Sequence, residues 1–92
     1  MKVFWLPRAL ADRDVLIDYI AQDSISAALD QGDRIMEAVA RLVDYPQMGR
    51  EGRVKCTREL VVSRTSFVVV YRVTAERVEV LRVLHGAQMW PK

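Results

Sequence analysis

TRELVVSRTSFVVVYRV, residues 57–73, is the stretch whose reading decides the fold. β-Branched and aromatic side chains dominate it, the composition of a pleated and half-buried surface. The polar SRTS at residues 63–66 divides it into two strands, residues 57–62 and 67–73. A third apolar run, residues 77–84, follows Thr74, Ala75 and Glu76, a connection of the right length for a hairpin turn. Three strands joined this closely pair antiparallel. Arg58, Arg64, Arg72 and Arg82 are set among their valines and leucines. Arg64 falls in the turn, whereas Arg72 and Arg82 fit strands that alternate between an apolar face and a solvent face.

Working outward toward residue 1, Lys2 to Leu6 reads as a short strand, and Pro7 suits the first position of a helix, where its missing N–H costs nothing. From Arg8 to about Gln22, Leu16, Tyr19 and Ile20 fall at helical spacing with Asp12, Arg13, Asp14 and Asp18 between them. Asp23 and Ser24 are N-cap residues for a second helix, in which Ile25, Ala28, Gly32, Ile35, Val39 and Leu42 recur at spacings of three and four. Pro46 ends it. Two helices joined by so tight a turn form an antiparallel αα-hairpin. Gly32 costs roughly 1 kcal/mol relative to alanine, so it is expected where the helices approach closely. The order strand, two helices, three strands implies a single α+β domain spanning residues 1–92, with the helical hairpin packed on one face of an antiparallel sheet.

Composition excludes several function classes. A chain of 92 residues that is 51% hydrophobic builds one core. No apolar run approaches the ~18 to 20 residues of a membrane span, and MKVFWLPRAL lacks the apolar core of a secretory signal, so a cytoplasmic protein without membrane contact is expected. With one cysteine, Cys56, and one histidine, His85, neither an internal disulfide nor a zinc site is expected, and no cofactor is implied. Charge is divided unevenly. Residues 1–46 carry five basic and eight acidic groups, and residues 47–92 nine basic and four acidic ones. Such a split points to a partner that is anionic, either nucleic acid or an acidic protein.

The segments WLPRALADRDVLIDYIA, MGREGRVKCTRELVV, FVVVYRV and VEVLRVLHGAQMWP, in this order, resemble the RelE/ParE superfamily, the toxins of bacterial type II toxin–antitoxin pairs. The resemblance covers nearly the whole chain and implies a cognate antitoxin as partner. It implies either of two activities, cleavage of mRNA on the ribosome by RelE-like members or inhibition of DNA gyrase by ParE-like members. Cleavage by a 2′-hydroxyl needs a proton acceptor, cations around the phosphate and a proton donor for the leaving oxygen. Measured against the RelE-like pattern, Arg58 stands where a strand lysine is found, but Leu60 occupies the place of the second and Val68 that of the phosphate-holding arginine. GAQMWP supplies neither the arginine nor the tyrosine of that pattern, which leaves His85 as a substitute general acid.

The resemblance therefore favours a gyrase-inhibiting toxin neutralised by an antitoxin laid along the groove beside the helical hairpin and the sheet. The alternatives are a ribosome-dependent mRNA endonuclease using Arg58, Arg53, Lys55 and His85, or an inactive homologue that serves as a binding module. His85 reads better as a ring tethering the C-terminal segment to the sheet than as a catalytic group. Arg50, Arg53, Lys55, Arg58, Arg72, Arg82 and Trp90 are the expected partner contacts, with local pairs from the cluster to Glu51 and Glu59 as the bland reading. Trp90 also fits a lid folded over the core, and Trp5 fits the core itself. Cys56 stands where relatives often have glycine, and is expected to be a small buried or half-buried side chain.

Overall fold

The structure, a computed structural model, describes residues 1–86 and 90. The elements are β1 (Lys2–Trp5), α1 (Pro7–Asp23), α2 (Ile25–Arg41), β2 (Arg50–Glu51), β3 (Arg58–Val61), β4 (Phe67–Val73) and β5 (Arg77–His85). Pro7 opens α1 without a side-chain cap, and Ser24 alone joins the helices, its hydroxyl accepting the Ala27 N–H at 3.1 Å. Asp23 is the last residue of α1 and not a cap. Arg13 reaches the Met36 sulfur, and Ile17 lies beside Gly32. Both pairs are centred on the Ser24 turn, as antiparallel helices require. A Cβ on Gly32 would meet the Ile17 methyl at 3.5 Å, an ordinary contact, so the close approach expected there does not demand glycine.

The apolar stripe of α2 is buried at Ala28, Ile35 and Val39 and continues into the cap residue Leu42, but its first member, Ile25, is exposed. The helix ends at Arg41, before the Val43–Asp44 turn and Pro46. The α+β architecture, with helices packed on one side of a sheet, is as the sequence suggests. The sheet itself is larger than the three antiparallel strands expected. It has five strands in the order β1-β5-β4-β3-β2, with β1 parallel to β5 and every other pair antiparallel.

Ala9 of α1 and Ile35, Val39 and Leu42 of α2 meet Phe67, Val69, Tyr71, Val78, Val80 and Val83 in the core. Trp5 packs against its edge, with the Arg13 guanidinium 5.0 Å from the indole. The 63–66 segment turns as expected, with Arg64 at φ 62 and the Thr65 hydroxyl donating to Val62 O. A bulge between Val70 and Tyr71 leaves Leu81 as an extra residue in β5 and sets Arg82 opposite Val70, on the face away from Val80 and Val83, yet not in solvent as the sequence suggests. Arg82 is buried. Its Nε and terminal nitrogen donate to Asp12 of α1 at 2.6 and 3.1 Å, and the Val83 N–H donates to the same carboxylate at 3.1 Å. β1 pairs with β5 only as far as Val80, so Asp12 satisfies a strand-edge donor beyond β1.

Candidate functional site

The charged loop between α2 and β3 is held by a single buried phenol. Tyr71 donates from its hydroxyl to Pro46 O at 2.7 Å and accepts the Gly49 N–H at 2.9 Å. Burial pushes its ionisation above the usual tyrosine range, with the Gly49 hydrogen bond and the nearby Arg58 charge opposing only in part. A Cβ on Gly49 would sit 2.8 Å from the Tyr71 ring and hydroxyl and 3.0 Å from Glu59 O, so the backbone passes where no side chain fits.

Arg58 lies on this side of the sheet, opposite Tyr71, and one terminal nitrogen donates to Gly49 O at 2.7 Å and to Gln47 O at 3.4 Å. The guanidinium thus clamps the loop. Arg50 lies opposite Glu59 on the other side and donates to its carboxylate at 3.2 Å, while the Arg53 N–H donates to the second oxygen at 3.1 Å. Glu59 is 5% exposed. Burial alone would raise its pKa, but the Arg53 N–H and the Arg50 guanidinium outweigh that effect and hold it below the ordinary carboxylate range. The expected Glu59 pairing is therefore a buried one.

Arg53 and Lys55 project from the β2–β3 loop into solvent. Beside them Cys56 is exposed, contrary to the expectation of burial, and has φ 66. That left-handed backbone is one that glycine adopts more readily than cysteine. Arg53 also donates to the Trp90 carbonyl at 3.3 Å, and the Trp90 ring lies 6.0 Å from the Arg82 guanidinium. Trp90 is half-buried, folded back toward the sheet, and its indole N–H is enclosed without a hydrogen-bond partner among the described residues. The rest of the GAQMWP segment after Gly86 lies outside the described residues.

His85 ends β5 opposite Phe67, whose ring it meets edge-on with centroids 6.3 Å apart. Arg58 is opposite Tyr71, four residues along β4 and on its other flank. Strand geometry separates the two Cα atoms by about 16 Å. Arg53, Lys55 and Arg58 are gathered at one end of the sheet and His85 stands at the other. Val68 and Leu60, in the places of expected cations, lie on β4 and β3 between them. Among the described residues no three histidine, cysteine, aspartate or glutamate side chains converge as metal ligands.

The sequence did not give the residues that build two further features. The first is a groove between α2 and β3. β2 pairs only with Arg58 and Glu59, so Leu60 and Val61 form a strand edge with no partner strand among the described residues. Arg34, Glu37, Ala38, Arg41, Met48, Leu60, Val61 and Ser63 line the groove there, and it continues into a cavity of 540 Å³ formed by Arg41, Tyr45, Pro46, Gln47 and Met48. Arg34, Ala38 and Arg41 share one helical stripe, which was the available signal. The second is a cluster on the sheet face away from the helices. Arg72 and Arg77 both donate from Nε to Glu79, and Arg77 also lies over the Phe4 ring at 4.3 Å. The two arginines hold the Glu79 carboxyl below its usual range, against a smaller opposing effect of burial. The i, i+2 spacing of Arg77 and Glu79 puts them on one strand face and hinted at this pair.

A strand, a helical hairpin and an antiparallel run of strands, with a charged loop clamped beneath the hairpin, define a small toxin of the RelE/ParE kind. Residues 3–90 match the family described as the ParE toxin of the type II toxin–antitoxin system parDE, and the chain belongs to that family. It is 41% identical over 91 residues to Y4kP of Sinorhizobium fredii, a candidate toxin by name, covering 99% of this chain and 94% of that one. It is 38% identical over 88 residues to the toxin RelE2 of Caulobacter vibrioides, covering 96% and 98%. A solved chain of the chromosomal ParDE toxin–antitoxin system from P. aeruginosa superposes with a TM-score of 0.82 at 30% identity, over 92% of this chain and 95% of that one. The protein is thus the toxin of a type II pair, and its family implies a cognate antitoxin. No described helix is long and apolar enough to cross a membrane.

Proposed function

We propose that the toxin inhibits DNA gyrase by protein–protein contact, acting as one domain over residues 1–92 in the cytoplasm, where gyrase works. The observation that carries this reading is the scattered state of the groups an RNA-cleaving site needs. Arg58 is occupied by Gly49 O and Gln47 O, Val68 and Leu60 offer no charge, and His85 stands about 16 Å from Arg58 along and across the sheet. Proton transfer needs its partners within hydrogen-bond reach of one scissile group. In this reading Arg53, Lys55 and Trp90 contact the target, and Arg58 and Arg82 fix the loop and the last strand that present them. The antitoxin lies in the α2–β3 groove, where Arg41 and Arg34, the latter paired with Asp30, outnumber Glu37 and favour an acidic segment, and the Leu60–Val61 edge offers backbone groups to an added strand.

The test adds purified toxin in parallel to gyrase supercoiling of relaxed plasmid and to a ribosome-bound mRNA read by primer extension. Inhibited supercoiling with intact mRNA is the expected result. Cleaved mRNA with normal supercoiling overturns the reading in favour of a ribosome-dependent endonuclease, and inactivity in both assays overturns it in favour of a binding module.

A further inference from the structure

On the sheet face away from the helices, one buried carboxylate holds two arginines. Glu79 is 5% exposed, and its oxygens are taken by Arg72 and by Arg77, the latter at 2.8 Å from Nε and 2.7 Å from a terminal nitrogen. Two positive charges thus sit on one negative charge. Their side chains remain 49% and 44% exposed, so N–H donors not used by Glu79 face solvent from guanidinium groups that are already fixed in position. A guanidinium held in this way loses less rotamer entropy when it binds a second anion, and its planar fork suits phosphate.

The pair does not stand alone. Strand register puts Lys2 beside Arg77 at one end of this face, and Arg50, 62% exposed on its own buried carboxylate Glu59, two strands beyond Arg72 at the other. At 4.7–4.9 Å per strand and about 3.3 Å per residue, the three strands and four residue levels between Arg77 and Arg50 span about 20 Å. A single phosphate cannot occupy a band of that length, whereas a polymer of phosphates can. Among the described residues the band itself holds one aromatic ring, Phe4, with Arg77 over it, and a single ring does not make the succession of stacking platforms that unpaired bases use. We propose that this band is a docking surface for the phosphate backbone of duplex DNA, without base readout. The inference goes beyond the gyrase reading and is independent of it, because it concerns the toxin and DNA alone.

The experiment is fluorescence anisotropy of the full chain with a labelled duplex of about 20 base pairs, titrated at several salt concentrations, with single-stranded oligonucleotides of DNA and RNA in parallel. Three phosphate contacts, from Arg50, Arg72 and Arg77, predict a log–log salt slope of about −2.7, or about 40-fold weaker binding at 200 mM than at 50 mM salt. Arg72→Gln/Arg77→Gln/Glu79→Gln, which replaces the charged cluster by amides without stranding a carboxylate, is expected to bind more weakly at 50 mM and to lose only about 3- to 4-fold over that range. Arg50→Gln, a milder change that keeps the Arg53 N–H on Glu59, should reduce the slope by about 1, and it decides the matter if the triple variant melts at lower temperature than wild type. Arg64→Gln removes an equal charge from the turn at the far end of the sheet and should bind as wild type does. The proposal is overturned by a wild-type slope flatter than about −1, by the same slope in Arg50→Gln and the triple variant as in wild type, by equal weakening in Arg64→Gln, or by binding to single strands alone.

Discussion

On the face toward the helices, Ile35, Val39 and Leu42 of α2 meet Val69, Val80 and Val83 of the sheet, whereas on the opposite face Glu59 and Glu79 are buried with arginines laid over them. The first face is closed by apolar area, which is indifferent to orientation. The second is closed by hydrogen bonds to charged groups, which are directional and leave cations at the surface. A small sheet with helices on one side only has to finish its other side somehow. In this toxin that finish doubles as a display of positive charge.

Perturbations that strike the two faces differently would break or sharpen this contrast. The largest effect is expected where the faces meet, at Asp12 and Arg82, whose side chains are 14% and 10% exposed. Asp12→Ala strands a buried guanidinium and the Val83 N–H, and should cost about 3 kcal/mol in urea denaturation. Next is Gly49→Ala, which drives a methyl into the Tyr71 ring and should cost about 2 kcal/mol, read as a lowered thermal midpoint. Replacing an apolar contact on the helix face by one of equal volume should cost less than either.

The third effect is one of pH and belongs to the charged face alone. Glu59 and Glu79 have folded-state pKa values below their ordinary 4.5, so the folded form binds fewer protons than the unfolded chain. Their stabilisation is present above pH 4.5 and is lost as pH falls through the lowered values. The urea midpoint of wild type should therefore drop between pH 5 and about 3, and Glu59→Gln/Glu79→Gln should flatten that limb. The smallest effects are gains. Gly32→Ala removes a mid-helix glycine without a clash, and Cys56→Gly relieves a left-handed residue at φ 66. Each should add up to about 1 kcal/mol, and an unchanged midpoint in either would show that the local backbone relaxes instead.

What the sequence made legible was local. The 3.6-residue period of α2, the Ser24 cap, the strand Phe67–Val73 and the turn that follows it all depend on neighbours within a few positions. What it hid was set at long range. β2 is two exposed residues and has no periodicity to detect, and the parallel partner of β1 lies 75 positions away, at Lys2 and Arg77. Arg82 was misassigned to solvent because the carboxylate that holds it comes from a different element 70 positions earlier. At the site, the cluster of cations was visible but not what each one holds. Nothing local reveals that Arg58 would spend its donors on loop carbonyls, or that Glu79 would gather Arg72 and Arg77.

The pairing of β1 with β5 has a consequence for how the toxin comes into being. A chain is made from its first residue onward at roughly 5–20 residues per second, so β1 waits several seconds before its partner strand exists. β5 also lies between β1 and β4, so β1 cannot join the rest of the sheet until residues 77–80 have been synthesised. Neither the complete arginine band nor the Asp12–Arg82 lock can form earlier. The first strand is therefore joined to the sheet in a late step, when the residues of the α2–β3 groove and of the loop held by Tyr71 are already in the chain.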